Sequence, residues 1–155
     1  MRFQQTRSID VYQIETAAQL ARVAELVNAA ATNGTYGNAY YELMNDIDLS
    51  AYGAGFNGGK GWVPIGSTYW YPVKGNFDGN GKTISGLYIH NEESDHIGLF
   101  GCISNGTVKN LGVVDADVTG WRMVGGLTGR LTGGTATAQN SYVTGKVRGQ
   151  GDTGV

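Results

Sequence analysis

The chain has 155 residues, 41% of them hydrophobic, with 26 glycines, 2 prolines, one cysteine and a formal net charge of −2. That length and apolar share suit one domain with a real core and argue against disorder, while glycine without a period of three excludes collagen. Scattered charges offer nucleic acid no basic face, the apolar runs fall far short of the roughly 20 residues of a membrane span, and the lone Cys102 excludes an internal disulfide.

Residues 1–7 are polar and lack the apolar core of a signal peptide. Residues 9–14 read as a short strand, and Thr16 with Gln19 as a capping box. Ala17, Leu20, Val23, Ala24 and Val27 then fall at helical spacing, predicting one helix over residues 17–31 that Asn33-Gly34 stops. It is expected to be the only substantial helix and to cover an open end of the fold. Residues 40–44 alternate as a strand that continues through Ile47 and Leu49. Asp46 and Asp48 would share a face of it, yet no His or further acid stands at a fitting spacing. They are expected to bond turn amides rather than hold calcium. Residues 51–60 read as a mobile glycine-rich loop, and Trp62 and Ile65 as core anchors. Tyr69-Trp70-Tyr71 is the densest aromatic patch and the candidate ligand-binding site, since aromatic faces stack on sugar rings and partner proteins. The competing reading has these rings merely covering the side of a coil.

Residues 77–82 carry a strong turn signal, Phe77-Asp78-Gly79-Asn80-Gly81-Lys82. Asp78 and Asn80 match the start of an EF-hand loop, but the sixth place holds Thr83 and the twelfth Ile89, which excludes it. The stretch from His90 to His96 gathers both histidines among acids; it is expected to be a solvated turn rather than a metal or proton-relay site. Two copies of a glycine motif follow 28 residues apart, Gly98-Leu99-Phe100-Gly101 and Gly126-Leu127-Thr128-Gly129, and Asn110 recurs as Asn140 after 30. Self-similarity at this period predicts stacked coils. Their inward residues should be Ile84, Leu87, Ile89, Ile97, Leu99, Phe100, Val108, Leu111, Val113, Val124, Leu127 and Val143, with Cys102 buried beside them. Asp115 and Asp117, near Arg122 and Arg130, pose the catalytic question, because β-helix lyases set carboxylates and cations on one outward sheet. An ordinary solvent-facing row is the favoured reading, so no catalytic residue, cofactor or metal ligand is assigned.

The two in-phase Gly-Leu-x-Gly motifs stand behind an ordered leader: Thr16-Ala17-Ala18-Gln19-Leu20, Asn45-Asp46-Ile47-Asp48-Leu49, Gly61-Trp62-Val63-Pro64-Ile65-Gly66 and Phe77-Asp78-Gly79-Asn80-Gly81-Lys82-Thr83-Ile84. Together, over about residues 14–155, they resemble the GLUG-motif family of large secreted or surface bacterial proteins. That family includes adhesins and the non-catalytic parts of some immunoglobulin-cleaving proteases. The resemblance implies a right-handed β-helix and no assigned reaction. The resulting expectation is one all-β domain over residues 1–155, a right-handed parallel β-helix (solenoid) with an N-terminal capping α-helix. Residues 1–31 would hold the first strand and helix, 32–82 irregular first coils, and 83–155 the repeats, truncated where Val155 falls opposite Val124. The expected role is a non-catalytic structural or adhesive module, secreted or on the bacterial surface, presenting a rigid face to protein or carbohydrate. A polysaccharide lyase or glycoside hydrolase and a pure spacer are the competing readings. No nucleic acid or membrane insertion is expected, but self-association through the open C-terminal end is.

Overall fold

The computed structural model of the chain describes residues 2–4 and 10–151. The Ile9 start of the first predicted strand and the match of Val155 to Val124 lie outside the described residues. Strand β1 (Arg2–Gln4) runs antiparallel to β2 (Val11–Ile14). The Thr16 hydroxyl then accepts the Gln19 N–H at 3.2 Å, and the Gln19 side chain accepts the Glu15 N–H at 2.6 Å, a variant of the capping box. Helix α1 (Ala17–Asn28) follows, burying Leu20, Val23, Ala24 and Val27. At Ala29 the backbone turns extended, with φ −98° and ψ 133°, and a second helix, α2 (Ala30–Tyr36), begins. The single helix over 17–31 is thus two, and Asn33-Gly34 lies inside the second instead of ending the first. Asn33 tolerates that place because its side chain is buried and bonded, donating to the carbonyls of Val27 at 2.8 Å and Pro72 at 3.2 Å.

The strand predicted through Leu49 is also two, β3 (Tyr40–Leu43) and β4 (Ile47–Asp48), which belong to different sheets. Residues 51–60 are structured by short 3₁₀ turns, Ser50–Tyr52 and Asn57–Gly59. Next come β5 (Asn76–Asp78), β6 (Thr83–Ser85), β7 (Tyr88–Asn91), β8 (Phe100–Ser104), β9 (Thr107–Lys109), β10 (Gly112–Gly120), β11 (Thr128–Thr132), β12 (Thr137–Gln139) and β13 (Tyr142–Gly149). They form three sheets: β1-β2-β3-β5-β9-β12, β13-β10-β6-β4 with β7 also on β10, and the pair β11-β8. Among the described residues the strand pairs are all parallel except β1 with β2, and an isolated antiparallel bridge joins Gly61 to Ile89.

The sequence period survives as register: Phe100 pairs Thr128, Thr107 pairs Thr137, and Gly112 pairs Tyr142. Its asparagines have a backbone cause. Asn80, Asn110 and Asn140 all sit at the strand corners with φ between 49° and 56°, a left-handed turn that asparagine accepts. The motif glycines serve close approach. A Cβ on Gly101 would lie 2.5 Å from the Gly66 carbonyl oxygen and 2.6 Å from that of His96, and one on Gly129 would meet the Met123 carbonyl. The core is one contiguous cluster from Ile14 to Val118. Within it Tyr41 packs on Phe77, and Phe77 meets Phe100 edge-on at 5.0 Å.

The expected all-β, right-handed parallel β-helix with one capping helix is overturned. The fold is mixed: short strands lie in three separate sheets, one with an antiparallel edge, and two helices help build the core. The helix pair lies between β2 and β3, well ahead of the two Gly-Leu-x-Gly motifs, so the motif spacing carries no information on it. The boundary expected between residues 31 and 32 falls inside α2. Three predicted core residues also differ. Val124 and Leu127 are only half-buried and Val143 is 38% exposed, because no described strand packs beyond β11, β12 and β13. Cys102 is fully buried, and burial pushes its thiol above the ordinary value.

A Gly129→Ala change is expected to cost about 1–3 kcal/mol through forced backbone displacement. Gly134, where nothing lies within 4 Å of an added Cβ, serves as the control. Urea midpoints test this, and equal midpoints for the two alanine variants would refute the close approach.

Candidate functional site

The aromatic patch is positioned by the helix pair. The Asn28 side chain, at the end of α1, donates to the Pro64 carbonyl at 2.9 Å and accepts the N–H groups of Gly66 at 2.8 Å and Ser67 at 2.9 Å. Asn33 holds the far side of the same loop through Pro72. Between these anchors the Tyr71 N–H closes a turn on the Thr68 hydroxyl and carbonyl. Trp70 is left 78% exposed and Tyr69 48% exposed, their ring centroids 5.7 Å apart in an edge-to-face pair. The Arg130 guanidinium lies 5.0 Å from the centre of the Tyr69 ring, a cation–π contact that fixes the ring. Arg130 reaches it from β11, where it pairs with Cys102 of β8. Two of the three predicted aromatics are therefore brought together. Tyr71 is half-buried and stands outside the pair.

A cavity of about 250 Å³ is lined by Ser67 and Thr68, which directly precede Tyr69 in the chain, and by Lys60, Asp95 and His96. The sequence predicted a solvated turn at residues 90–96, and half of it is one. His90 is exposed, 3.6 Å from Glu92. His96 is not: its Nε2 and the Asp95 Oδ1 are shut from solvent with no hydrogen-bond partner. His96 also holds φ at +60°. Burial first, then the positive charge of Arg130, lowers its pKa, with Asp95 partly opposing.

The other candidates resolve into structural roles. Asp46 accepts the Thr83 N–H at 2.9 Å and Asp48 the Ser50 N–H at 2.9 Å, so both carboxylates bond backbone amides. Asp115 and Asp117 are both exposed, but the arginines they were matched with lie elsewhere, Arg122 over Trp121 and Arg130 over Tyr69. Asp117 instead pairs Arg148 at 3.2 Å. Among the described residues no group of three or more His, Cys, Asp or Glu gathers as a metal site, and no helix is long and apolar enough to cross a membrane. Sequence reasoning missed an apolar groove of about 530 Å³ between α1 and the residues Tyr52, Phe56 and Trp62. The signal was Ala18 and Ala21 facing an aromatic-bearing loop that the sequence presents as glycine-rich.

No protein-family model matches the sequence. The chain is 39% identical over 127 residues to a protein of Evansella cellulosilytica described as a Gly-rich membrane protein, and 36% identical over 123 residues to the halomucin of Haloquadratum walsbyi. Each match covers 79% of this chain, but the chain spans only 13% of the first relative and 1% of the second. Among solved structures it resembles a Bacteroides ovatus protein described as an immunoglobulin A1 protease, with a TM-score of 0.61 and 24% identity, over 86% of this chain and 37% of that one. At that identity the likeness shows the fold alone.

With its folded pKa below the unfolded value of 6.5, His96 binds its proton more readily in the unfolded chain. Its stabilising effect is therefore complete above that value, declines as the pH falls below it, and levels off under the folded pKa. Replacing His96 with Asn, which tolerates the left-handed backbone, should flatten this part of the profile. Urea midpoints between about pH 7.5 and 5 test it, and an unchanged slope in the variant would assign the dependence to other groups.

Proposed function

We propose that the chain is a non-catalytic binding module of a membrane-associated or surface-displayed protein, whose exposed Tyr69–Trp70 edge engages carbohydrate. The observation that carries this reading is the 78% exposure of Trp70 beside a Tyr69 ring held by Arg130. A large apolar ring left in water on a loop anchored by Asn28 and Asn33 is pre-organised for a flat partner surface, and a pyranose face offers one. The similarity to a Gly-rich membrane protein supports the surface placement. Localisation outside the cell, kinship with the GLUG-type repeat proteins and an adhesive role belong to the same proposal.

Retention of the purified chain on immobilised neutral polysaccharides tests this reading. Trp70→Ala should weaken retention about tenfold or more, equivalent to about 1.4 kcal/mol. Asn28→Ala should weaken it less, by loosening the loop. Retention indifferent to Trp70 would discard the patch, and release of new chain ends would make the protein an enzyme.

A second reading concerns partners. Leu131, Val143 and Val147 are 44%, 38% and 43% exposed on the outermost strands β11 and β13, whose outer edges pair with no described strand. Unpaired apolar edges recruit further strands, which supports self-association through this face. Sedimentation should show concentration-dependent dimers that Val147→Asp abolishes; a monomer at all concentrations would exclude it.

A further inference from the structure

We infer that the cavity between Lys60 and Asp95 is a subsite for a single neutral, hydroxyl-rich ring, the terminal sugar of a glycan whose next ring stacks on Trp70. The inference rests on the carbohydrate reading above for its ligand class. Its own basis is the cavity. At about 250 Å³ it falls below the roughly 300–1,000 Å³ of sites for drug-sized ligands, which restricts it to one ring. Its walls divide as a sugar requires: Val63, Pro64 and Ile97 are apolar, while Asn57, Asn91 and Ser67 offer donors and acceptors. Lys60 and Asp95 contribute one charge of each sign, so the site selects neither anion nor cation.

The second observation is the pair of orphaned atoms. A buried polar atom without a partner is costly to keep, and Asp95 Oδ1 and His96 Nε2 are two such atoms on neighbouring residues that line the cavity. A small turn of these side chains toward the cavity lets a ligand hydroxyl donate to the carboxylate and another pair with the imidazole. The third is continuity. Ser67 and Thr68 line the cavity and directly precede Tyr69 and Trp70 in the chain, which puts the exposed aromatic pair on the same loop as the cavity wall.

The test is protein-observed NMR on the full chain, following the His96 imidazole and Trp70 indole signals. The methyl glycosides of glucose, galactose, mannose and N-acetylglucosamine are added separately to millimolar levels. At least one should shift the His96 signals saturably, with affinity falling about tenfold or more in Asp95→Asn and in Lys60→Met, and little changed in Trp70→Ala. Two variants on opposite walls guard against misfolding of either, and unperturbed amide signals elsewhere confirm the fold. If no glycoside moves His96, or Asp95→Asn and Lys60→Met both bind as the parent does, the subsite is refuted. Trp70-dependent retention on polysaccharide would then leave the wider reading standing. A saturable glycoside shift lost in Asp95→Asn, without polymer retention, would keep the subsite and discard the aromatic platform.

Discussion

Everything after residue 73 depends on one constraint, that successive backbone passes run parallel and close enough for their amides to pair at a nearly constant chain offset. Phe100 against Thr128 and Thr107 against Thr137 are two readings of that offset. Side chains oppose such proximity where a strand must pass over a carbonyl of the layer below, and the motif answers with glycine. At Gly101 the carbonyls of Gly66 and His96 lie where a Cβ would have to go. The corners face a different difficulty, a sharp reversal of direction at positive φ, and Asn80, Asn110 and Asn140 meet it. Asn110 adds a tie between layers, its side chain donating to Asp78 Oδ1 at 3.1 Å. The motif therefore states backbone geometry and carries no reaction chemistry.

The helix pair converts this scaffold into a site. Asn28 and Asn33 spend their amides on the carbonyls and N–H groups of residues 64–72, a segment whose backbone otherwise joins the sheet through the bridge of Ile65 to Phe100 and the bond between Gly66 and Cys102. Bonds of this kind are modest singly, about 0.5–1.5 kcal/mol each, but losing a buried partner costs more than making the bond returns. They act at both ends of the loop. Its middle, Tyr69 and Trp70, can then remain in water without collapsing onto the sheet, and the Arg130 contact on Tyr69 secures the remaining degree of freedom.

What was legible in the sequence follows from what is local. The capping of α1, its apolar stripe, the burial of Trp62, Ile65 and Cys102, and the amide bonding of Asp48 rest on neighbours within a few residues or on side-chain chemistry alone, whereas Asp46 finds its amide at Thr83, 37 residues on. The parallel register was legible because repetition exposes it. The arrangement of three sheets was not, since a period specifies which strands pair but leaves open how the sheets sit with helices between them. The break at Ala29 escaped because alanine is the best helix former; only the long-range bonds of Asn28 and Asn33 make the interruption worthwhile. His96 was misjudged for a similar reason. Its polar neighbours argue for solvent, while the structure shuts its Nε2 away from water and sets it within the field of Arg130, far away in sequence.

Arg130 joins these strands of argument. It directly follows the second glycine motif, and the β11–β8 register sets it opposite Cys102. From there its charge is spread over the Tyr69 ring and also felt at His96 and Cys102. A guanidinium engaged with an aromatic face is a poorer partner for a free anion than one held open. The neighbouring cavity offsets Lys60 with Asp95 and keeps His96 neutral by burial. The patch and the cavity thus share one electrostatic character, polar but close to uncharged, in a chain whose net charge is only −2. Such a surface gives little long-range steering, so any recognition there rests on contact: ring faces, hydrogen bonds and shape.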